Sequence, residues 1–284
     1  MPNLQDIRRR ILSVRSTQKI TRAMKMVAAA KLRRAQDTIV NARPYAYHMR
    51  DLTKSLAAYA DRESHPLLSV GSGEKIGIIV VTSDRGLCGG FNTNIVNETM
   101  RTLRGPYDGK TVELTVLGRK GLDALKRRPC TIRTSHTGVY DGFSINAASR
   151  IIDEVVDDFI KGGTKEVYCL YNEFKSAISQ RVTLERLLPY ELPEEDPAPE
   201  INYIYEPNAQ AILFSLLVKN LHVQMHRILL ESAASEQGAR MTAMESATNN
   251  AGEVINTLSL KYNRARQDAI TREVIEVVSG AEAL

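Results

Sequence analysis

The sequence predicts an α/β protein in which the N- and C-terminal helices form a long antiparallel coiled coil and a central Rossmann-like α/β domain lies between them. Three observations lead to that class. Asn208 to Val278 contains no proline and only two glycines, Gly238 and Gly252, while apolar and small residues recur at helical spacing. A second stripe, Leu4, Ile7, Ile11 and Val14, opens the chain and resumes through Ala28, Leu32, Ala35, Ile39, Ala42, Ala46, Met49 and Leu56. Between the two, strand-like and helix-like segments alternate. The expected parts are a helix over 1–60, an α/β domain over 74–190 and a helix over 207–284, which pairs with the first.

The first helix is expected to start at Asn3, with Asp6 three residues on. Gln18, Thr21 and Lys25 fall on its seam, so the apolar heptad is polar there. A seam of period near 3.5 predicts a left-handed supercoil. Pro44 should kink the helix or end its regular ladder, and the pattern fades near Tyr59. His65-Pro66 and Gly71-Ser72-Gly73 read as a linker.

Ile76 to Val81 is a continuous apolar run, as expected of a strand buried on both faces. A glycine-rich turn, Ser83 to Gly90, precedes a helix through Ile95, Thr99 and Leu103. Val112 to Leu117 predicts a second strand, Arg119 to Lys126 a short helix, and Cys130 to Arg133 a third strand. Ser144 is placed to cap an amphipathic helix (Ile145, Ala148, Ile152, Val155, Phe159) that stops at Gly162-Gly163. Val167 to Tyr171 and Val182 to Leu188 predict two further strands, joined as a hairpin across Asn172 to Gln180. Glu191 to Glu200 is an acidic, proline-rich linker. In the last helix Pro207 suits the first turn, Asn208 the N-cap and Gly280 the C-terminal glycine. At about 1.5 Å per residue it would be roughly 105 Å long. No domain from a chain this size buries such a rod along its length, so it needs a partner helix or it projects. Val218, Leu221, Met225 and Ile228, and then Ala239, Ala243, Ala247, Ala251, Val254 and Leu258, supply its stripe, with the earlier group expected to meet the N-terminal helix.

The chain of 284 residues has an ordinary hydrophobic fraction, and its apolar runs are too short to cross a bilayer. A helix beginning almost at Met1 predicts no signal or transit peptide. Three widely spaced cysteines, Cys88, Cys130 and Cys169, fit reduced thiols better than a disulfide framework or a zinc site. Charge is uneven. Residues 1–60 carry thirteen Lys and Arg against three Asp and Glu, although the net charge is only +5. That basic face admits three readings: a solvated coiled-coil face, a surface for acidic protein partners, or a nucleic-acid arm. Against the last, no aromatic residue before Tyr45 is available to stack on bases.

An enzyme reading has one foothold, the turn with Gly86, Gly89 and Gly90. Its spacing matches neither G-x-G-x-x-G nor G-x-x-x-x-G-K-[ST], and a tight strand-to-helix turn explains the glycines equally. His222 and His226, at i and i+4, could share a face toward a metal, but no third ligand is evident. No nucleophile–base or paired-carboxylate arrangement stands out.

Four separated blocks are specific. Ile270 to Ala281 resembles the C-terminal block of the gamma-subunit family of F-type ATP synthases, bacterial type. Thr17 to Lys31 is similar to that family's N-terminal block, Ser83 to Phe91 to the loop of its central domain, and Glu236 to Met244 with Leu260 to Gln267 to its C-terminal helix. The resemblance implies a non-catalytic rotor whose coiled coil turns inside a hexamer of alpha and beta subunits and whose foot rests on the epsilon subunit and the membrane c ring. It implies that ion flow is coupled to ATP synthesis or hydrolysis on the beta subunits, with no cofactor or metal on this chain, no nucleic acid, and a place on the cytoplasmic face of the bacterial plasma membrane, held only through the c ring. It implies that Met24, Lys25, Arg240, Arg264, Gln267, Thr271 and Glu273 meet the alpha and beta subunits. Tyr203, Tyr205 and Glu206 would meet the c ring or epsilon, and Val274, Val277 and Val278 would sit in an apolar bearing. The photosynthetic members carry a cysteine-bearing insert. Nothing similar interrupts Tyr168 to Pro193, so the resemblance does not extend to thiol regulation.

Overall fold

A computed structural model describes residues 4–57, 66–139, 145–190 and 209–282. Within it the chain forms two compact units, Met1–Ala28 with Arg240–Leu284, and Ala29–Ala239. Both divisions fall inside long helices, α1 (Leu4–Ala57) and α5 (Ala209–Glu282).

The larger unit is built on a five-stranded sheet in the order β3-β2-β1-β4-β5, from β1 (Lys75–Val81), β2 (Val112–Leu117), β3 (Thr131–His136), β4 (Thr164–Phe174) and β5 (Gln180–Leu188). Neighbours run parallel except β4 and β5, which form an antiparallel hairpin. Crossover helices α2 (Phe91–Arg104), α3 (Arg119–Leu125) and α4 (Ile145–Ile160) make the layout doubly wound. Central β1 is covered on both faces, which is why its sequence is an unbroken apolar run. Ile76, Ile78 and Val80 pack with Ile95, Val96 and Met100 of α2 and Leu125 of α3. Ile79 and Val81 belong to the opposite core, with Ile152, Val155 and Phe159 of α4.

That second core also takes Leu213, Leu217, Leu221, Met225 and Ile228 of α5. The sequence reading set the last three against the N-terminal helix. Among the described side chains they are buried with α4 and the sheet, and no described α1 side chain belongs to their cluster. The neighbouring Asn220 turns to α1, donating from Nδ2 to Thr53 Oγ1 at 3.2 Å. Further along, Ala234 of α5 closes on Leu32 and Ala35 of α1, with Phe174 and Ala177 of the hairpin against them. Small side chains here let two backbones and a hairpin tip approach together.

Several boundaries differ from expectation, and local reasons account for the clearest of them. β3 runs to His136 because it is an edge strand of alternating exposure, TIRTSH, with little apolar signal. β4 reaches Phe174 because the hairpin loop is tight, closed by Ser176 N–H donating to Ser179 O at 3.0 Å. The short helix α3 ends one residue earlier, at Leu125. Helix α1 continues past Pro44. Proline removes the hydrogen bond to the carbonyl of Val40, but Val40 and Pro44 are both exposed, so water can satisfy that oxygen. The expected caps at Ser144 and Asn208 lie outside the described residues.

In the smaller unit α1 buries Ile7, Ile11, Thr21 and Ala28, and α5 buries Met244 and Ala251. No helix among the described residues is long and apolar enough to cross a membrane.

Candidate functional site

The polar interruption in the α1 stripe is where the smaller unit has its most specific chemistry. Thr21 is buried, and its hydroxyl lies 2.8 Å from that of Thr248 on α5. Thr21 Oγ1 is also 3.1 Å from Gln18 O, and Thr248 Oγ1 is 2.7 Å from Met244 O. Two protons serve three contacts, so one hydroxyl donates to the other while its own helix carbonyl waits. Gln18 Nε2 donates to Thr248 O at 3.3 Å. One turn along, Lys25 Nζ donates to Glu245 Oε1 at 2.6 Å. The Lys25 side chain is 38 % exposed, half-covered by a cross-helix ion pair at a position that the heptad sets on the seam. Gly252 keeps the seam narrow there, since a Cβ on it would lie 3.2 Å from Gln18 Nε2.

The other sequence-predicted contact residues spread along α5. Met24 on α1 is half-buried. Arg240 is buried and hydrogen-bonded or paired within the protein, so it is no simple surface cation. Arg264, Gln267, Thr271 and Glu273 are exposed. Arg264 also lines an open groove between the start of α1 and the far part of α5, with Arg9, Arg10, Lys261 and Arg272 against Asp6 and Asp268. That excess of cations suits an acidic surface. Val274, Val277 and Val278 are 55 %, 72 % and 51 % exposed, an apolar end that no described residue covers. Tyr203, Tyr205 and Glu206 lie outside the described residues.

The glycine-rich turn of the larger unit is at the end of β1, where doubly wound sheets commonly bind ligands. Its polar groups are engaged with one another. Asn92 Oδ1 accepts from Ser83 N at 3.0 Å, and Asn92 Nδ2 donates to Ser83 Oγ at 2.8 Å and to Cys88 Sγ at 3.3 Å. Asp84 accepts from the N–H groups of Arg119 and Gly138, each at 3.0 Å, stapling three loops. Gly118 (φ +92°) is required by close approach, since a Cβ would fall 2.1 Å from Thr82 O. Leu87 takes a left-handed φ of 63° with its side chain 64 % exposed. The turn reads as the sheet's own fastening.

His222 Nε2 lies 2.7 Å from Asp153 Oδ1, and burial lowers the basicity of His226. Among the described residues no group of three metal-ligating side chains gathers. A cluster that sequence reasoning missed lies on the same helix. Arg227 donates to Glu185 Oε1 of β5, to Glu231 Oε1 at 3.0 Å and to the Tyr171 hydroxyl of β4 at 3.3 Å. Tyr171 donates in turn to Glu185 Oε2 at 2.8 Å. Burial opposes the charge on Arg227, but Glu185, Tyr171 and Glu231 hold its guanidinium above its ordinary value. Burial raises the Glu231 carboxyl, with Arg227 pulling the other way. Among the described residues Glu231 Oε2 has no hydrogen-bond partner. The trace in the sequence is Arg227 and Glu231 at i, i+4, flanking the apolar run Ile228-Leu229-Leu230.

A family model described as ATP synthase matches residues 3–284. The chain is 48 % identical to an ATP synthase gamma chain of Anaeromyxobacter sp. strain Fw109-5, over all of both chains. It is 47 % identical to that of Geobacter metallireducens, over all of this chain and 99 % of the relative. Among solved structures it resembles a chain in the central stalk and c-ring assembly of Tetrahymena thermophila mitochondrial ATP synthase, at 27 % identity and TM-score 0.62, covering 80 % of this chain and 99 % of that one. A chain of the Euglena gracilis mitochondrial enzyme shares the fold at TM-score 0.70 and 18 % identity, over 99 % of this chain and 94 % of that one. These relatives give no support to a nucleic-acid reading of the basic face.

Proposed function

This chain belongs to the ATP synthase gamma-chain family, and from that premise we propose that it is the central-stalk rotor coupling ion flow through a membrane c ring to ATP synthesis or hydrolysis on the beta subunits. The full-length 48 % identity carries the reading, and the paired terminal helices agree with it. The coiled coil of 1–60 and 207–284 is the shaft inside the alpha–beta hexamer. The 74–190 domain supports a foot where Tyr203, Tyr205 and Glu206 meet the epsilon subunit and the c ring. The chain itself is non-catalytic and holds no cofactor. Its membrane attachment is indirect, at the cytoplasmic face of the bacterial plasma membrane.

The mechanism is linkage. A shaft that presents a different face to each beta subunit stabilises a different conformation in each, and turning it moves every subunit through the set. Met24, Lys25, Arg240, Arg264, Gln267, Thr271 and Glu273 are the proposed faces toward alpha and beta. Lys25 suits such a role because its pair with Glu245 is half-exposed, and pairs of that kind are worth about 0–1 kcal/mol. Exchanging Glu245 for an acidic partner loop leaves no deep energy trap. Replacing Lys25 by Glu sets like charge against both Glu245 and that loop. On membranes carrying the assembled complex, Lys25→Glu and Met24→Lys are expected to keep ATP hydrolysis while ions pumped per ATP fall, more so at low salt. Equal loss of both activities, or failed assembly, overturns this account of the contact.

A further inference from the structure

One face of α5 lies along the β4–β5 hairpin. Arg227, Glu231, Ala234, Ser235 and Gly238 recur at intervals that place them on a single helical stripe. Arg227 reaches Glu185 and Tyr171 on the two hairpin strands. Ala234 packs with Phe174 and Ala177. Ser235 donates to Asn172 O at 3.0 Å, and a Cβ on Gly238 would lie 3.0 Å from Ala177 O. Leu221, Met225, Ile228 and Leu229 share a core with Tyr171 and Leu187 of the two strands, but past Leu229 the apolar part of this contact is made by alanine and glycine. Small residues allow close approach but present a shallow relief, so their packing energy changes little if the helix turns slightly about its axis. The directional bonds are concentrated in the Arg227 cluster.

That cluster is a poor device for stability. The half-buried guanidinium and its two carboxylates lose part of their hydration, a cost that their attraction only roughly offsets, and well-packed apolar replacements are commonly no less stable. Its geometry is selective, however. Arg227 bridges a tyrosine, a strand carboxylate and its own i+4 carboxylate at once, with both oxygens of Glu185 satisfied. A helix rotated by a fraction of a turn would break the strand bonds and leave a half-buried charge without its strand partners, which is unfavourable.

We propose that Arg227 is a positioning residue that fixes the rotational setting of α5 against the β4–β5 hairpin, so that a turn applied to the sheet domain is delivered to the helix without slip. This rests on the rotor reading above and adds a residue to it. The test uses the assembled complex on membranes with three forms of the chain: parent, Arg227→Met/Glu185→Leu/Glu231→Gln, and Arg227→Lys. The triple variant removes the charges together, so it leaves no stranded ion and is expected to assemble and to hydrolyse ATP at the parent rate. Its ions pumped per ATP are expected to fall about twofold or more. Arg227→Lys keeps the charge but cannot fork to three oxygens, and is expected to lie between. Loss of stability alone lowers hydrolysis and pumping together and leaves their ratio unchanged. A triple variant with the parent ratio overturns the inference, as does one whose two activities fall in step. Failure of the parent chain to support ATP-driven pumping would instead overturn the rotor reading.

Discussion

At the scale of single residues, the hydroxyl pair Thr21–Thr248 and the carboxyl of Glu231 show how burial changes the weight of ordinary groups. Thr21→Val keeps the shape of the side chain and leaves the half-buried Thr248 hydroxyl without its cross-helix partner, at a cost of about 1 kcal/mol. Thermal melts should show Thr21→Val and Thr248→Val each lowering Tm, with the double variant recovering much of the loss. Simple additivity of the two would mean that the 2.8 Å contact contributes nothing. Glu231 has its pKa raised chiefly by burial. A carboxyl whose folded pKa lies above its unfolded value adds stability that is fully present below the unfolded value, near 4.3, and is lost as pH rises through the folded value. Glu231→Gln has no such loss. Its Tm relative to the parent should therefore rise between pH 4 and pH 8, and a constant difference would show that Glu231 does not titrate abnormally.

At the scale of the element, α5 presents different faces to different neighbours along its length, and its stripe changes character accordingly. From Leu213 to Ile228 it is large and apolar because it closes the core over α4 and the sheet. From Ala233 it becomes small, and Ala234 meets α1 and the hairpin tip. Past Arg240 its buried positions thin to Met244 and Ala251. The first segment should carry the energy. Leu221 is fully buried, so Leu221→Asp places an unpaired charge in the core and should cost several kcal/mol. A melt close to the parent's would mean that α5 does not seal this core.

At the scale of the whole molecule, stability and coupling are expected to depend on different residues. The apolar end of α5 makes the separation testable. Val277 is 72 % exposed, so Val277→Asp should leave the melt of the isolated chain unchanged to within about 0.5 kcal/mol. If that end sits in an apolar bearing of the hexamer, the same change should weaken retention of the chain in the complex during purification from membranes. Retention equal to the parent's would remove the bearing from the account. Together with the Lys25 and Arg227 variants, it distinguishes residues that hold the shaft, turn it and fix its angle.

The sequence by itself determined the strands and helices whose burial pattern is local. Ile76 to Val81 reads as a doubly covered strand and is one, extended by Lys75, Val112–Leu117 has the same bounds in sequence and structure, and the long proline-free stretch after Asn208 is one helix. The polar break at Gln18, Thr21 and Lys25 was also legible, because a heptad makes any polar seam residue stand out. The tertiary structure alone decided what covers each face. Periodicity marks Leu221, Met225 and Ile228 as one apolar stripe, but a stripe is satisfied equally by a helix or by a sheet, and here α4 and the sheet cover it. The heptad sets Lys25 on the seam but does not name its partner, because Glu245 is 220 positions away. Arg227, Glu185 and Tyr171 are separated by 42 and 56 positions, and no spacing rule connects them. Only the strand order, which sets the β4–β5 hairpin beside α5, brings those charges together, so the proposed positioning cluster exists in the topology and has no motif of its own.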